Sequence, residues 1–326
     1  MKSTSGRGKL SLVRPGSALG STVLFLGGGR AWTVDDAIAD ADARGALDQT
    51  IEEALALSAA EQRAEEDSVD IDDDAIQKSS ERFRYDHDLI SAGETEEWLA
   101  AHAMTLDDFA AWLYRQLCAD SVGRPSTDTA PDDFPELLHV HLWLSGDMDR
   151  VADQFRRRVA AQIELAAENL PLEAAHDRVM ASVLTTDARR RRLNTMRLPL
   201  TQLHIDSLEL ESEAAAREAC LCVRDDGETL ADVASQSGYT TKREHIWVED
   251  AGRDLPPQAS FASDGELIGP VRVENRFKVC QVVRRIEPSL ADADVARRVD
   301  SSLLDEFFNE LCARHTPLPV VARTNK

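Results

Sequence analysis

Basic residues are scarce in this chain, long apolar runs are missing, and the cysteines do not pair by spacing. Against 59 Asp and Glu stand 37 Lys and Arg, a formal net charge of −22. That balance repels nucleic acid and anionic membrane surfaces and leaves neutral or cationic polypeptide as the natural partner class. No segment approaches the ~20 apolar residues of a membrane span, so no membrane insertion is expected. The five cysteines, Cys118, Cys220, Cys222, Cys280 and Cys312, are odd in number and lack C-x-x-C spacing; they read as reduced, buried thiols of a cytoplasmic protein. No G-x-S-x-G, P-loop or G-x-G-x-x-G context offers hydrolase or nucleotide chemistry, and Gly27-Gly28-Gly29 alone is a turn. No cofactor and no metal are expected.

What is present suffices for two domains, since 326 residues with 43% hydrophobic content can bury two cores. Lys2, Arg7, Lys9 and Arg14 precede the apolar stretch Ala18 to Leu26. That order suggests a signal peptide, but the run is short, Gly20 breaks it and no small-x-small site follows; a strand and turn into the first helix is the expectation. From Thr33 the pattern becomes helical, with Thr33 and Asp36 spaced to cap a first helix through Leu47 and Leu57. Further helices are expected over 75–85, after Ser91 around Trp98 and Leu99, and after Thr105 around Phe109, Trp112 and Leu113. Residues 121–133 form a loop rich in Pro, Ser, Thr, Asp and Gly. Helices over Phe134 to Leu144, Val151 to Leu165, with Arg156, Arg157 and Arg158 on its wet face, and Leu172 to Leu184 follow.

The pattern then changes to a strand over 198–205, helices over 212–223 and 230–234, a short strand over 245–248 and a helical turn at 259–262. Two closing strands, 271–273 and 277–283, are joined by Glu274-Asn275-Arg276, short enough for a hairpin. Asp292 to Cys312 is a last helix with a wide apolar side formed by Val295, Val299, Leu303, Phe307, Phe308 and Leu311.

Specific residues sharpen this order. His204-Ile205 on the first strand, Leu230-Ala231 with Ala234-Ser235, and above all Ser260-Phe261-Ala262 followed by Gly265-Glu266-Leu267-Ile268-Gly269-Pro270-Val271 make the segment resemble a parvulin-type peptidyl-prolyl isomerase domain. More loosely, Thr33-Val34-Asp35-Asp36, Phe83-Arg84, Thr95-Glu96-Glu97-Trp98-Leu99 and Leu106-Asp107-Asp108-Phe109 resemble the helical domain of SurA-type chaperones, including relatives encoded beside peptide-maturation systems. The resemblance implies an α+β chain. Its parts are a SurA-like helical domain over 1–195, a parvulin-like domain over 196–287 with a small antiparallel sheet flanked by helices, and a C-terminal segment 288–326 whose helix packs on the helical domain.

The resemblance also frames the chemistry. Rotation about an X-Pro imide meets a barrier of ~20 kcal/mol, which a rotamase lowers by fitting the twisted amide better than either planar form. Of the family's paired histidines, His204 matches the first and Lys278 stands at the second; the loop Asp and Cys positions fall near Gly238 and Tyr239, and the Met and Phe pocket positions near Gly252 and Pro256. Two readings follow. In one, the groove binds unfolded or precursor polypeptide, including Pro-containing segments, and acts as a chaperone with weak or absent isomerase activity; in the other it is an active peptidyl-prolyl isomerase. The implied contact residues are His204, as the catalytic candidate, with Tyr239, Trp247, Phe261 and Lys278 for peptide binding, and Phe261 could equally be core.

Other constellations have plainer readings. Asp70, Asp72, Asp74 and Glu81 hold positions one, three, five and twelve of a calcium-loop pattern, but Ala75 occupies the place of the required Gly, and a run of Asp before a helix serves its N-terminus. His139 and His141 diverge on a helix and lack a third ligand, and Cys220-Leu221-Cys222 diverge likewise. Arg189 to Arg192 read as a solvated helix end, as a contact for an acidic client, or as a dock for the acidic N-terminal helices.

Overall fold

The computed structural model describes residues 12–14, 16–127, 129–251 and 255–318; Lys2, Arg7, Lys9 and Gly252 lie outside the described residues. Two units emerge from the packing, one comprising Met1–Arg178 with Phe308–Lys326 and the other Val179–Phe307.

The first unit opens with a hairpin, β1 (Val23–Gly27) and β2 (Arg30–Thr33). Gly28 and Gly29 both take positive φ, +60° and +80°, as a two-residue turn of this hand requires. Gly27 cannot carry a side chain, because a Cβ there would lie 2.9 Å from Thr316 Cγ2 and 3.1 Å from the His315 carbonyl. Thr33 then closes a capping box with Asp36 and starts α1 (Val34–Ala43). Six further helices follow: α2 (Asp48–Glu66), α3 (Asp73–Asp86), α4 (Ala92–Ala101), α5 (Leu106–Val122), α6 (Phe134–Leu144) and α7 (Asp147–Glu164). Ser91 and Thr105 each form capping boxes, with Glu94 and Asp108, and Asp72 caps α3 by accepting the Asp74 N–H at 3.1 Å, so the acidic run before this helix does serve its N-terminus.

Helix α6 is buried on every side. Leu137, Leu138 and Leu142 join one core with Ile38, Ile51 and Phe155, while Val140 and Leu144 join a second with Phe83, Leu99, Phe109 and Leu113. A helix apolar all round belongs inside, and this burial takes both His139 and His141 out of water. On α7 the expected wet face is only partly wet. Arg158 is 8% exposed and donates to Asp40 Oδ1 at 3.1 Å, and Arg156 donates to the Thr316 carbonyl at 2.7 Å. A guanidinium on a flexible stem reaches a buried carboxylate that the helical pattern alone does not reveal.

Two helices straddle the division between the units, α8 (Leu172–Val183) and the last, α12 (Ala293–His315). The second unit holds α9 (Thr186–Thr195), β3 (Gln202–Leu210), α10 (Glu213–Asp225), α11 (Leu230–Gln236), β4 (Lys242–Trp247), a 3-10 turn (Pro257–Phe261), β5 (Leu267–Val273) and β6 (Arg276–Ile286). Its sheet is antiparallel with order β4-β3-β6-β5. The chain is therefore α+β.

Three local expectations are corrected here. The first strand begins at Gln202 rather than Leu198, because 196–200 continue as turns in which Leu200 N–H bonds the Met196 carbonyl and Thr201 N–H that of Leu198. The arginine run is a helix of its own, and much of it is engaged within its unit. Arg189 grips Asp300 with two hydrogen bonds of 2.7 Å, and Arg192 pairs with Glu306. The apolar side of the last helix divides. Val295, Val299 and Leu303 pack with Leu193, Met196, Leu200 and Trp247, so the sheet unit runs from Val179 to Phe307 and is wider than 196–287. Phe308 stacks on His176, with centroids 5.3 Å apart, in the helical unit.

Candidate functional site

Side chains alternate across a strand, and residues directly opposite share a face. One face of the sheet therefore carries Leu203, Ile205, Ser207, Glu244, Ile246, Lys278, Cys280 and Val282, and the segment from Val248 to Ala262 packs onto it. The opposite face carries Leu208, Leu210, Val279 and Leu267 beneath α10 and α11, then Asp206, His204, His245, Arg243 and Arg284 further along.

This alternation decides where the residues expected from the sequence fall. His204 and Lys278 lie on opposite faces, so they do not confront one another across a groove. The register has a β-bulge between His204 and Ile205, where β6 contributes an extra residue. His204 instead stacks on His245, with centroids 3.9 Å apart and planes 8° from parallel. Its pKa is lowered by burial and then by the neighbouring His245, Arg284 and Arg243.

Lys278 is 7% exposed and donates to Glu244 Oε2 at 2.8 Å. Ser207 Oγ lies 3.1 Å from the same oxygen, and Lys242 Nζ lies 2.7 Å from Oε1. Burial pushes the Glu244 carboxyl up, but the hydrogen bonds of Lys242, Lys278 and Ser207 outweigh it and hold the pKa at about 2. Beside this network burial drives Cys280 up to about 12, with Lys278 opposing. The sulfur is therefore a thiol and a poor nucleophile. The backbone of Lys278 is set by Gly269, whose φ of +120° and close approach exclude a side chain, since a Cβ would stand 2.8 Å from the Lys278 carbonyl. That contact is a physical reason for the glycine before Pro270.

The three aromatic candidates separate. Phe261 is 74% exposed while its neighbours Ala259 and Ala262 are buried, so the ring stands outside the core. Tyr239 is 40% exposed in the turn that leaves α11, its N–H bonded to the Ala234 carbonyl at 2.8 Å. Trp247 ends β4, half-buried against Leu200 and Val295, with the Arg298 guanidinium 4.5 Å above its ring.

Glu244, Ser207, His245 and Arg284 were not singled out by sequence reasoning. A signal existed for Glu244: a carboxylate in alternation with Ile246, on a strand's apolar face, calls for a buried cation. Its partner Lys278 is 34 residues away and only the sheet pairing joins them. In the helical unit a polar cleft of about 310 Å³ is lined by Gln49, Thr50, Glu53, Asp147 and Arg150 and holds none of these residues. Among the described residues no group of three or more potential metal ligands converges, and no helix is long and apolar enough to cross a membrane.

No family model matches this chain, and no curated protein matches it. Among solved structures it is similar to the foldase protein PrsA of Streptococcus pneumoniae, with 11% identity over 88% of each chain and a TM-score of 0.26. It is also similar to the peptidylprolyl isomerase PrsA of Bacillus cereus, with 11% identity over 90% of each and a TM-score of 0.26. A third likeness is to a SurA-like chaperone of Campylobacter jejuni, with 10% identity over 90% of this chain and 93% of that one and a TM-score of 0.19. Superpositions this loose assign no residue a role, and the reading of the site rests on its own geometry.

Proposed function

We propose that this protein binds extended or unfolded polypeptide as a chaperone, through a parvulin-like unit whose prolyl isomerase activity is weak or absent. The observation that carries this reading is the engagement of Lys278. At the position where the resemblance implies a second histidine, the side chain is a buried ammonium bonded to Glu244, and His204 points to the other face. His204 and Lys278 therefore do not face a bound imide together. The reading extends to a precursor peptide undergoing maturation as the client and to the cytoplasm as the compartment, supported by the loose resemblance of the helical half and by cysteine spacing that offers no disulfide framework.

The competing reading is an active isomerase acting on X-Pro bonds of a precursor or nascent client. It is favoured by the exposure of Phe261 and Tyr239, which leaves two aromatic rings available to a proline ring. NMR exchange spectroscopy on a short X-Pro peptide separates the two. The expected result is cis/trans exchange unchanged by the protein, with peptide resonances broadened or shifted, and the same outcome with His204→Ala. Exchange that accelerates with the protein and reverts with His204→Ala overturns the proposal in favour of the enzyme.

A further inference from the structure

Three basic groups stand in a row across the sheet. Arg284 of β6, His204 of β3 and His245 of β4 are directly opposite one another in register, so their side chains share one face about 5 Å apart. His245 and Arg284 are exposed and His204 is half-buried. Among the described residues none of the three forms an ion pair with a carboxylate. The charges around them are already spent: Arg243 holds Asp206 by two hydrogen bonds of 2.7 and 2.9 Å, and Arg298, beside Trp247, pairs with Glu249. In a chain with 59 acidic and 37 basic residues, an acidic partner of its own would have been easy to supply. Two parallel imidazoles and a guanidinium without a counter-charge leave a place for an anion, which the ring and guanidinium N–H groups can meet as donors.

The row runs across β4, β3 and β6, at right angles to the strands, so an extended segment lying crosswise over this face would set alternate side chains against it. We propose that the row formed by Arg284, His204 and His245 is a subsite for the Asp and Glu side chains of an extended polypeptide lying across this face. The row is a local basic site in a chain whose net charge is −22, and charge complementarity at the row favours a carboxylate there. The subsite rests on the reading that this protein binds extended polypeptide and names the chemistry that it selects.

The test is fluorescence anisotropy of the full chain at pH 6 with two labelled peptides of identical length, one with alternating Glu and the other with Gln at the same positions. The acidic peptide is expected to bind about tenfold more tightly, as for one charge-assisted contact. Arg284→Gln and His245→Gln should each reduce that preference while leaving thermal unfolding in place, since both side chains are exposed. Equal binding of the two peptides by the native protein, or a preference that survives both substitutions, overturns the subsite alone. If neither peptide binds, the subsite and the polypeptide-binding reading fall together.

Discussion

Each unit of this protein buries a small group of ionisable side chains, and the two groups are treated in opposite ways. In the helical unit His139 is fully buried, among the described residues neither ring nitrogen has a hydrogen-bond partner, and Asp35 Oδ1, likewise without one, stands 3.6 Å away, too far for a hydrogen bond. Burial holds the imidazole pKa down at about 4 and raises that of Asp35, which the nearby Asp36 raises further. In the sheet unit the charges stay and are answered: Glu244 receives Lys242, Lys278 and Ser207, and its pKa falls to about 2. The contrast teaches that burial alone does not decide the charge state. A carboxylate with enough donors remains ionised inside a protein, whereas a histidine without a partner gives up its proton.

The largest test of that contrast removes the buried cation. Lys278→Met leaves Glu244 with only Lys242 and Ser207 and is expected to destabilise the fold by about 3 kcal/mol or more, measured by urea denaturation. Adding Glu244→Gln should restore most of the loss; a double variant as unstable as the sum of the two singles would show that the groups do not act as a unit. Next in size is the response to acid. An unfolded histidine titrates near 6.5 and His139 in the fold at about 4, so the unfolded state takes up the proton first as pH falls. Stability should decline from about pH 6.5 towards pH 4, by roughly 3 kcal/mol. For Glu244 the window lies lower: its contribution is complete above an unfolded value of 4.5 and disappears as pH falls towards 2. Melting temperatures across pH 2 to 7 resolve the two windows. The smallest effect is that of His139→Leu, which replaces an unpartnered polar ring by an apolar side chain and should be neutral or stabilising by about 1 kcal/mol at pH 7. It should also flatten the upper window, and a loss of more than 2 kcal/mol would mean that the ring has a partner the fold needs.

Much of the fold was legible because its signals are local. The capping boxes at Thr33, Ser91 and Thr105 need only four residues each, and α6 begins and ends where its apolar run does. The closing hairpin follows from two alternating runs, although its turn is the two residues Glu274 and Asn275, since Arg276 already pairs with Val273. What misled was also local. Leu198 to Ile205 alternates like a strand, yet its first residues turn, and Leu200 is drawn under α12 to pack on Val295 and Val299. Arg189 to Arg192 look solvated until Asp300 and Glu306, more than a hundred residues on, take up two of them. The site was less legible than the fold, since His204 and Lys278 were joined by resemblance while the strand register parts them.

By itself the sequence determined the class of the chain, the order of its elements and its acidic balance, because propensity, capping and composition act over a few residues. Only the tertiary structure decided which charges meet. A one-residue bulge of β6 opposite His204 and Ile205 sets Arg284, not Val283, beside His204, and the pairing of β3 with β4 and β6 brings Ser207, Glu244 and Lys278 together. Register has a period of two, so a single inserted residue reverses every side chain beyond it, and no composition or spacing along one strand records where its neighbour has slipped.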